Sequence, residues 1–293
     1  MDNATARALC ALNNEFYARE AASFSATREA PWPGWRRVLE AMVARRDNDT
    51  DDSLFLVDVA CGNMRFERFL DAEYPGNFCS IAVDSCDQLA LDALEACDFK
   101  SGEVGYAHVD VIEQLLDGGA RGLALSLGAK NADATVAFGF MHHIPGEKNR
   151  THYLRALLET VRSGGVAAVS LWRFMDDERL AKKAREATVR AKSLVADAVS
   201  GRMPFDKEAG RTSFAEEAAR SPLFAVDFAQ FEAGDYLLGW QDDAAAFRYC
   251  HSFDDAEIAR LIDSVGNATM LITRFTADGK AGNLNEYLVF RKR

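Results

Sequence analysis

The chain contains no apolar run near the ~20 residues that a transmembrane helix needs, and no basic stretch followed by an apolar run at its N-terminus. We therefore expect no membrane span, no signal peptide and a cytoplasmic location. Its six cysteines form no C-x-x-C pair and no Cys/His cluster with zinc spacing, so we expect reduced thiols and no metal site. The formal net charge of −11 argues against strong non-specific binding of nucleic acid by the whole surface.

Apolar runs alternate with helix-patterned stretches from residue 53 to 172. The runs LFLVDVA, FCSIAVD, VGYAHVDV, ADATVAFGFMHHI and VAAVSLW predict five strands of a doubly wound, Rossmann-like α/β sheet. Gly164-Gly165 predicts the end of the helix before the fifth strand. Two later runs, TMLITRFT and NEYLVFRKR, are joined by a turn-rich segment. They predict a terminal antiparallel hairpin that completes a seven-stranded, mostly parallel sheet.

The remaining segments predict four regions along the chain. Residues 1–52 form an N-terminal helical lid, in which Pro31 and Pro33 separate two helices. Residues 53–172 are the cofactor-binding core. Residues 173–253 are an insert after the fifth strand, with two helices and a small hairpin made of DYLLGW and FRYCHSF. Residues 254–293 complete the sheet.

The turn in VDVACGNMRF, residues 57–66, has the features of a nucleoside-binding loop. Gly62 allows a ligand to approach the backbone closely, and the following helix presents free N–H groups. Asp84 ends the next strand, where a carboxylate can accept hydrogen bonds from ribose hydroxyls. The turn has a single glycine rather than G-x-G-x-x-G, which disfavours a nicotinamide cofactor. Taken alone, it is also compatible with an ordinary glycine-containing turn.

The string VDVACGN resembles the class I S-adenosylmethionine-dependent methyltransferase motif D-x-G-x-G-x-G, with Ala60 and Met64 in place of its first and third glycines. The resemblance implies S-adenosylmethionine as cofactor. It implies that Asp84 holds the ribose, that Asp110 and Val111 flank the adenine, and that Gly139 lies near the methionine end. The full set of candidate cofactor residues is Tyr17, Arg28, Asp58, Ala60, Gly62, Asn63, Asp84, Ser85, Asp110, Val111 and Gly139.

Three further strings resemble a narrower family, the eukaryotic-type tRNA wobble-uridine carboxymethyl methyltransferases. They are FYAREAASFSATREAPWPGW (16–35), CGNMRF with AVDSCDQL, and DYLLGW with FRYCHSF. The chain departs from that family at Gly239, where the family has proline, and at Cys250, where it has tyrosine. This resemblance implies methylation of a carboxylate on a modified tRNA uridine, and a small activator subunit as a partner.

The candidate catalytic residues are Arg248, His251 and His143. A carboxylate acceptor is ionised at neutral pH and needs no general base, so Arg248 would bind and orient it. Strand alternation predicts that Arg248 and Cys250 face one side, and Tyr249 and His251 the other. His143, after the fourth strand, could donate a hydrogen bond to the substrate or act as a base for an uncharged one. Structural ion pairing is the alternative for the arginine.

Two other functions stay open. A small-molecule methyltransferase would share the same core, and the acidic charge favours it. A partner-stabilising pseudo-methyltransferase without turnover is compatible with Ala60 and Met64 in the cofactor loop. The four tryptophans could line a substrate pocket, although core packing is expected for at least two of them.

Overall fold

The computed structural model describes residues 1–26, 30–44, 53–200, 221–240 and 243–293, with backbone only at 21–26 and 243–245. Its main sheet has seven strands in the order β3-β2-β1-β4-β5-β9-β8. The five N-terminal strands pair in parallel, and β9 pairs antiparallel with both β5 and β8. The strands are β1 Leu54–Val59, β2 Phe78–Asp84, β3 Gly102–His108, β4 Ala132–Ala137, β5 Val161–Trp172, β6 Asp235–Trp240, β7 Asp243–His251, β8 Thr269–Ala277 and β9 Asn285–Lys292.

Helices cover both faces of this sheet, because alternate residues of each strand are apolar on opposite sides. In β1, Leu54 and Leu56 pack into one core and Val57 and Val59 into the other. The described α-helices are α1 Asn3–Ala26, α2 Gly34–Val43, α3 Arg65–Glu73, α4 Asp87–Ala96, α5 Val111–Ser126, α6 Glu147–Thr160, α7 Glu178–Val199 and α8 Asp255–Val265. Helices α2 and α3 cover the first face; α5, α6 and α8 cover the second. The predicted doubly wound sheet is confirmed.

The hairpin of β6 and β7 forms a separate two-stranded sheet. Helix α7 packs against it, and Ala187 and Ala191 of that helix share a core with Leu237, Phe247 and Tyr249 of the hairpin. Helix α1 is fixed to the backbone of β7 by Asn13, whose Oδ1 accepts from the Tyr249 N–H at 2.7 Å. The lid helix and the hairpin therefore meet beside the main sheet.

Several sequence boundaries were wrong. Helix α6 ends at Thr160, and Gly164-Gly165 lies inside β5 rather than at a helix end. Strand β3 ends at His108; Asp110 instead caps α5 by accepting from the Glu113 N–H at 3.0 Å. The fourth predicted strand stops at Ala137, and residues 141–143 form a 3-10 turn.

Helix α5 lacked a sequence prediction altogether. Two helices were predicted between the fifth strand and residue 222; α7 is one of them, and residues 201–220 lie outside the described residues. Within the described parts of the chain, none of the helices combines the length and apolar character that a bilayer crossing requires.

Candidate functional site

A cleft of about 1230 Å³ opens at the carboxyl ends of β1, β2 and β4, where ligands bind in doubly wound sheets. It is larger than the ~300–1,000 Å³ of common small-molecule sites. Its walls come from α1, the segment before α2, the strand-end loops, the β6–β7 hairpin and the β8–β9 loop. Candidate residues that line it are Tyr17, Asp58, Ala60, Gly62, Asn63, Asp84, Ser85, Asp110, Gly139, His143 and Arg248.

The loop after β1 keeps the backbone path of a glycine-rich loop. Ala60, Gly62 and Met64 all adopt positive φ, at 65°, 56° and 54°. This conformation costs a non-glycine residue about 1–2 kcal/mol, so the surrounding contacts must maintain it. The Ala60 and Cys61 N–H groups both donate to the Val83 carbonyl, at 2.7 and 3.0 Å. The Met64 side chain is fully buried. Ala60 and Met64 therefore have the backbone conformation of the glycines that they replace in the motif.

Asp84 joins this loop to the end of β2. Its Oδ2 accepts from the Gly62 N–H at 2.8 Å, and its Oδ1 accepts from the Cys86 N–H at 2.9 Å. Burial raises the pKa of the Asp84 carboxyl, while hydrogen bonds from backbone N–H groups oppose that rise. A carboxylate has about four acceptor positions, so the backbone N–H groups leave room for a hydroxyl group of a ligand in the cleft.

A second buried carboxyl pair lies beneath the loop. Asp58 lines the cleft, and Glu67 of α3 is fully buried and accepts from the Ser80 hydroxyl at 3.1 Å. Burial raises the pKa of Asp58 well above its ordinary value, and the charge of Glu67 raises it further. Burial also raises the pKa of Glu67, to about 7. The pair therefore favours carrying a proton at neutral pH.

Gly139 follows β4 and lines the cleft, with φ of +73°. Its N–H donates to the Ser170 hydroxyl at 2.8 Å. A Cβ at this position would lie 2.9 Å from the Trp32 ring, so the residue's small size lets the indole cover the loop. Trp32 in turn contacts Arg65, whose guanidinium carbon is 5.1 Å from its ring centre.

Two candidate residues, Val111 and His251, lie outside the cleft wall. The Val111 side chain is buried in the core under α5, and Ile112 lines the cleft instead. His251 is fully buried outside the cleft wall, as described below. Arg28 lies outside the described residues.

Arg248 lines the cleft and is only 5% exposed. Its guanidinium carbon lies 5.2 Å from the Phe16 ring centre, 5.3 Å from Trp240 and 5.9 Å from Trp172. Aromatic faces attract the cation, so three rings help to hold the guanidinium at the cleft wall.

His143 stands on the same wall and is held by the lid helix. Its Nε2 lies 2.9 Å from the Tyr17 hydroxyl, and its Nδ1 lies 3.0 Å from the Tyr249 carbonyl. It is 4% exposed. Because α1 supplies Tyr17, the position of this imidazole depends on the docking of the lid helix.

His251 belongs to a buried ionic network behind the hairpin. Its two ring nitrogens lie 2.7 Å from Asp235 and 2.6 Å from Glu257. Burial lowers the pKa of His251, but the hydrogen bonds to both carboxylates outweigh it and raise that pKa overall. Arg150 completes the network with bonds to Glu232 and Glu257. Strand alternation holds here, since Tyr249 also donates to Asp235, at 2.7 Å, and Arg248 faces the opposite side. This network supports the hairpin rather than facing the cleft.

No sequence pattern indicated that the β8–β9 loop contributes to the cleft. Asp278, Gly279, Leu284 and Asn285 line the cleft. Asp278 accepts from the Gly34 N–H at 3.1 Å and from the Tyr287 hydroxyl at 2.6 Å, which ties the lid to the sheet. All four tryptophans line the cleft, although Trp35, 2% exposed, is also a core residue.

Comparison with known proteins shows the fold. Neither a family model nor a curated protein sequence matches the chain. An S-adenosylmethionine-dependent methyltransferase structure from Methanosarcina mazei has 12% identity and a TM-score of 0.52, over 84% of this chain and 95% of its own. One from Clostridium acetobutylicum has 9% identity and a TM-score of 0.49, over 95% and 98%. A TehB-like S-adenosylmethionine-dependent methyltransferase from Corynebacterium glutamicum has 13% identity and a TM-score of 0.46, over 95% of this chain and 97% of its own. The chain has the Rossmann-like fold of the S-adenosylmethionine-dependent methyltransferases.

Proposed function

We propose that the protein is an S-adenosylmethionine-dependent methyltransferase. The observation that carries the proposal is the convergence of the Ala60–Met64 turn, Asp84, Asp110 and Gly139 on one cleft at the carboxyl ends of the strands. The retained positive φ angles of Ala60 and Met64 support a working cofactor loop rather than a degenerate one. When bound, the cofactor supplies an activated methyl group on a sulfonium.

The residues present fit this cofactor. Asp84 has acceptor positions left for ribose hydroxyls after its two backbone hydrogen bonds. Asp110 and Ile112 flank the end of the cleft that would take the adenine, and Gly139 leaves room for the methionine portion. Tyr17, Asn63 and Ser85 line the same space and would contact the nucleoside or amino-acid portion. These side chains bind and orient; they are not required to move a proton.

We further propose that the acceptor is a carboxylate bound by Arg248. A guanidinium matches a carboxylate through two parallel hydrogen bonds, and apolar surroundings strengthen that attraction. The carboxylate is already ionised at neutral pH, so alignment with the methyl donor and exclusion of water are the main requirements. The aromatic rings around Arg248 would exclude water from the acceptor site. Neither requirement involves the removal of a proton, so His143 is not needed as a base.

The first candidate for the carrier of this carboxylate is a modified tRNA wobble uridine. The segments that resemble the tRNA carboxymethyl methyltransferases supply Tyr17, Trp240 and Arg248 to the same end of the cleft. A small organic acid is the second candidate, because Arg248 lies deep in the cleft of an acidic protein and must be reached by a slender group. A small activator subunit would accompany the tRNA reaction only.

Mass spectrometry of tRNA nucleosides from a strain that lacks the gene separates the two carriers. A tRNA substrate predicts loss of the methyl ester and accumulation of the free carboxymethyl uridine. Unchanged tRNA would exclude the tRNA candidate. Incubation of the enzyme with organic acids and labelled cofactor would then test the small-acid candidate.

Variants of Arg248 test the acceptor site once turnover is detected. Arg248→Ala should reduce turnover about 100-fold or more, because the site loses its main electrostatic donor, while cofactor affinity stays close to wild type. Arg248→Lys should recover part of the activity. Arg190→Ala is the matched control, since Arg190 contacts the Phe247 ring of the same hairpin at 4.9 Å without lining the cleft. Full activity of Arg248→Ala would reject the carboxylate site.

A further inference from the structure

Three buried side chains with metal-binding atoms meet on the cleft wall near Arg248. His142 and His143 come from the turn after β4, and Cys250 comes from β7. They are 7%, 4% and 0% exposed. One donor atom from each lies within 4.8 Å of the other two. We propose that His142, His143 and Cys250 form a binding site for a single zinc ion.

The donor set suits this ion. Two imidazoles and a thiolate are borderline-to-soft ligands that prefer Zn²⁺ to Mg²⁺ or Ca²⁺, and the cluster contains no carboxylate. The Nδ1 of His143 lies 3.8 Å from the Cys250 sulfur. Bonds of about 2.0–2.1 Å to nitrogen and about 2.3 Å to sulfur place two tetrahedral ligands about 3.5 Å apart. Small side-chain shifts are therefore enough to bring this pair into register.

Neighbouring residues can orient the His143 ligand. The Nε2 of His143 lies 2.9 Å from the Tyr17 hydroxyl, so it can donate there while Nδ1 faces the ion. Metal-bound histidines generally donate their second N–H in this way. The ion would replace the contacts of Nδ1 with the Tyr249 carbonyl, at 3.0 Å, and with the Asn13 amide, at 3.2 Å.

The site would have an open coordination position. Three protein ligands with a fourth, exchangeable position are typical of catalytic zinc. His142 and His143 both line the cleft that Arg248 also lines, so we place this position on the side of the cluster that borders the cleft. An anionic oxygen or sulfur atom of an acceptor would bind there. Sequence spacing gave no hint of the site, because 107 residues separate His143 from Cys250.

Metal binding can be measured on the full chain without cofactor or acceptor. Protein stripped with a chelator is titrated with Zn²⁺, and with Co²⁺ as a spectroscopic substitute. We expect one equivalent of Zn²⁺ and a thiolate-to-cobalt charge-transfer band. Cys250→Ala and Cys250→Ser should both abolish the band and weaken Zn²⁺ binding at least about tenfold, a loss comparable with that for damaged metal shells. Circular dichroism verifies that the variants are folded.

Cys10→Ala is the matched control, because Cys10 is also buried but lies on α1 outside the cluster. It should keep both the stoichiometry and the band. Absence of stoichiometric Zn²⁺ in the wild type would overturn the proposal, as would Zn²⁺ binding unchanged in a folded Cys250 variant. Cofactor binding, measured separately on the stripped protein, reports on the proposed methyltransferase function independently of this result.

Discussion

Replacing Asp84 by asparagine tests two roles of the carboxylate at the end of β2: holding the β1 loop by hydrogen bonds and, as we propose, binding the ribose of the cofactor. The carboxylate accepts from the Gly62 and Cys86 N–H groups, at 2.8 and 2.9 Å. An amide has one oxygen, so it can satisfy only one of these donors and turns an NH₂ group toward the other. Losing a hydrogen bond to a charged acceptor costs about 1.5–3 kcal/mol. Burial already disfavours the charge of Asp84, so a neutral amide recovers part of this cost.

The effect on the cofactor should be larger than the effect on stability. The variant loses both the charge and a hydroxyl acceptor, which we expect to weaken S-adenosylmethionine binding by about 1–3 kcal/mol, or about 5- to 150-fold. Calorimetry of cofactor binding and denaturant unfolding measure the two effects. Asp71→Asn is the control, because Asp71 also accepts from two backbone N–H groups, those of Lys100 and Ser101, but lies outside the cleft. Unchanged cofactor affinity in folded Asp84→Asn would refute the assignment of the ribose site.

Two further substitutions probe the cleft floor. Gly139→Ala should lower the free energy of unfolding by about 1–2 kcal/mol because of its positive φ, and by more because the added methyl group contacts Trp32. Gly128 has a similar φ and no atom near its Cβ position, so Gly128→Ala should show the cost of the backbone conformation alone. Equal losses of unfolding free energy in the two variants would contradict the contact with Trp32. Because burial raises the pKa of Glu67 to about 7, the folded state keeps a proton that the unfolded chain releases above about pH 4.3, so stability falls as pH rises between these values. The glutamine of Glu67→Gln does not titrate, so the unfolding free energy of this variant relative to wild type should rise by up to about 3 kcal/mol from pH 5 to pH 8, measured by denaturant unfolding. The same comparison for Glu159→Gln, at an exposed position, should show no such rise.

Strand periodicity and turn chemistry predicted the sheet, because buried parallel strands leave continuous apolar runs that end in polar residues. The same pattern placed the β1 turn and Asp84 at the carboxyl edge of the sheet, where both line the cleft. Predicted element boundaries were wrong where one residue type serves two roles. Gly164-Gly165 resembles a helix end, yet both glycines lie in β5. A glycine is required there because a Cβ on Gly165 would contact the Asp133 carbonyl too closely. Helix α5 was not predicted because Gly118, Gly119 and Gly122 interrupt its apolar pattern. The helix is kinked at Gly119.

The acceptor end depends on contacts between distant segments, which local patterns do not encode. Alternation along β7 separated Arg248 from His251, but it could not tell which side faced the cleft. Only the network of His251 with Asp235, Glu257 and Arg150 decides that question. The contribution of Asp278 depends on how the β8–β9 loop meets α2, and no short motif announces it.

Calorimetry of the wild-type protein with S-adenosylmethionine, S-adenosylhomocysteine and NAD tests the central claim most directly. The single glycine of the β1 loop, with Asp84 at the end of β2, predicts that both adenosyl ligands bind at one site per chain and that NAD does not. Binding of NAD without a signal from either adenosyl ligand would contradict the account.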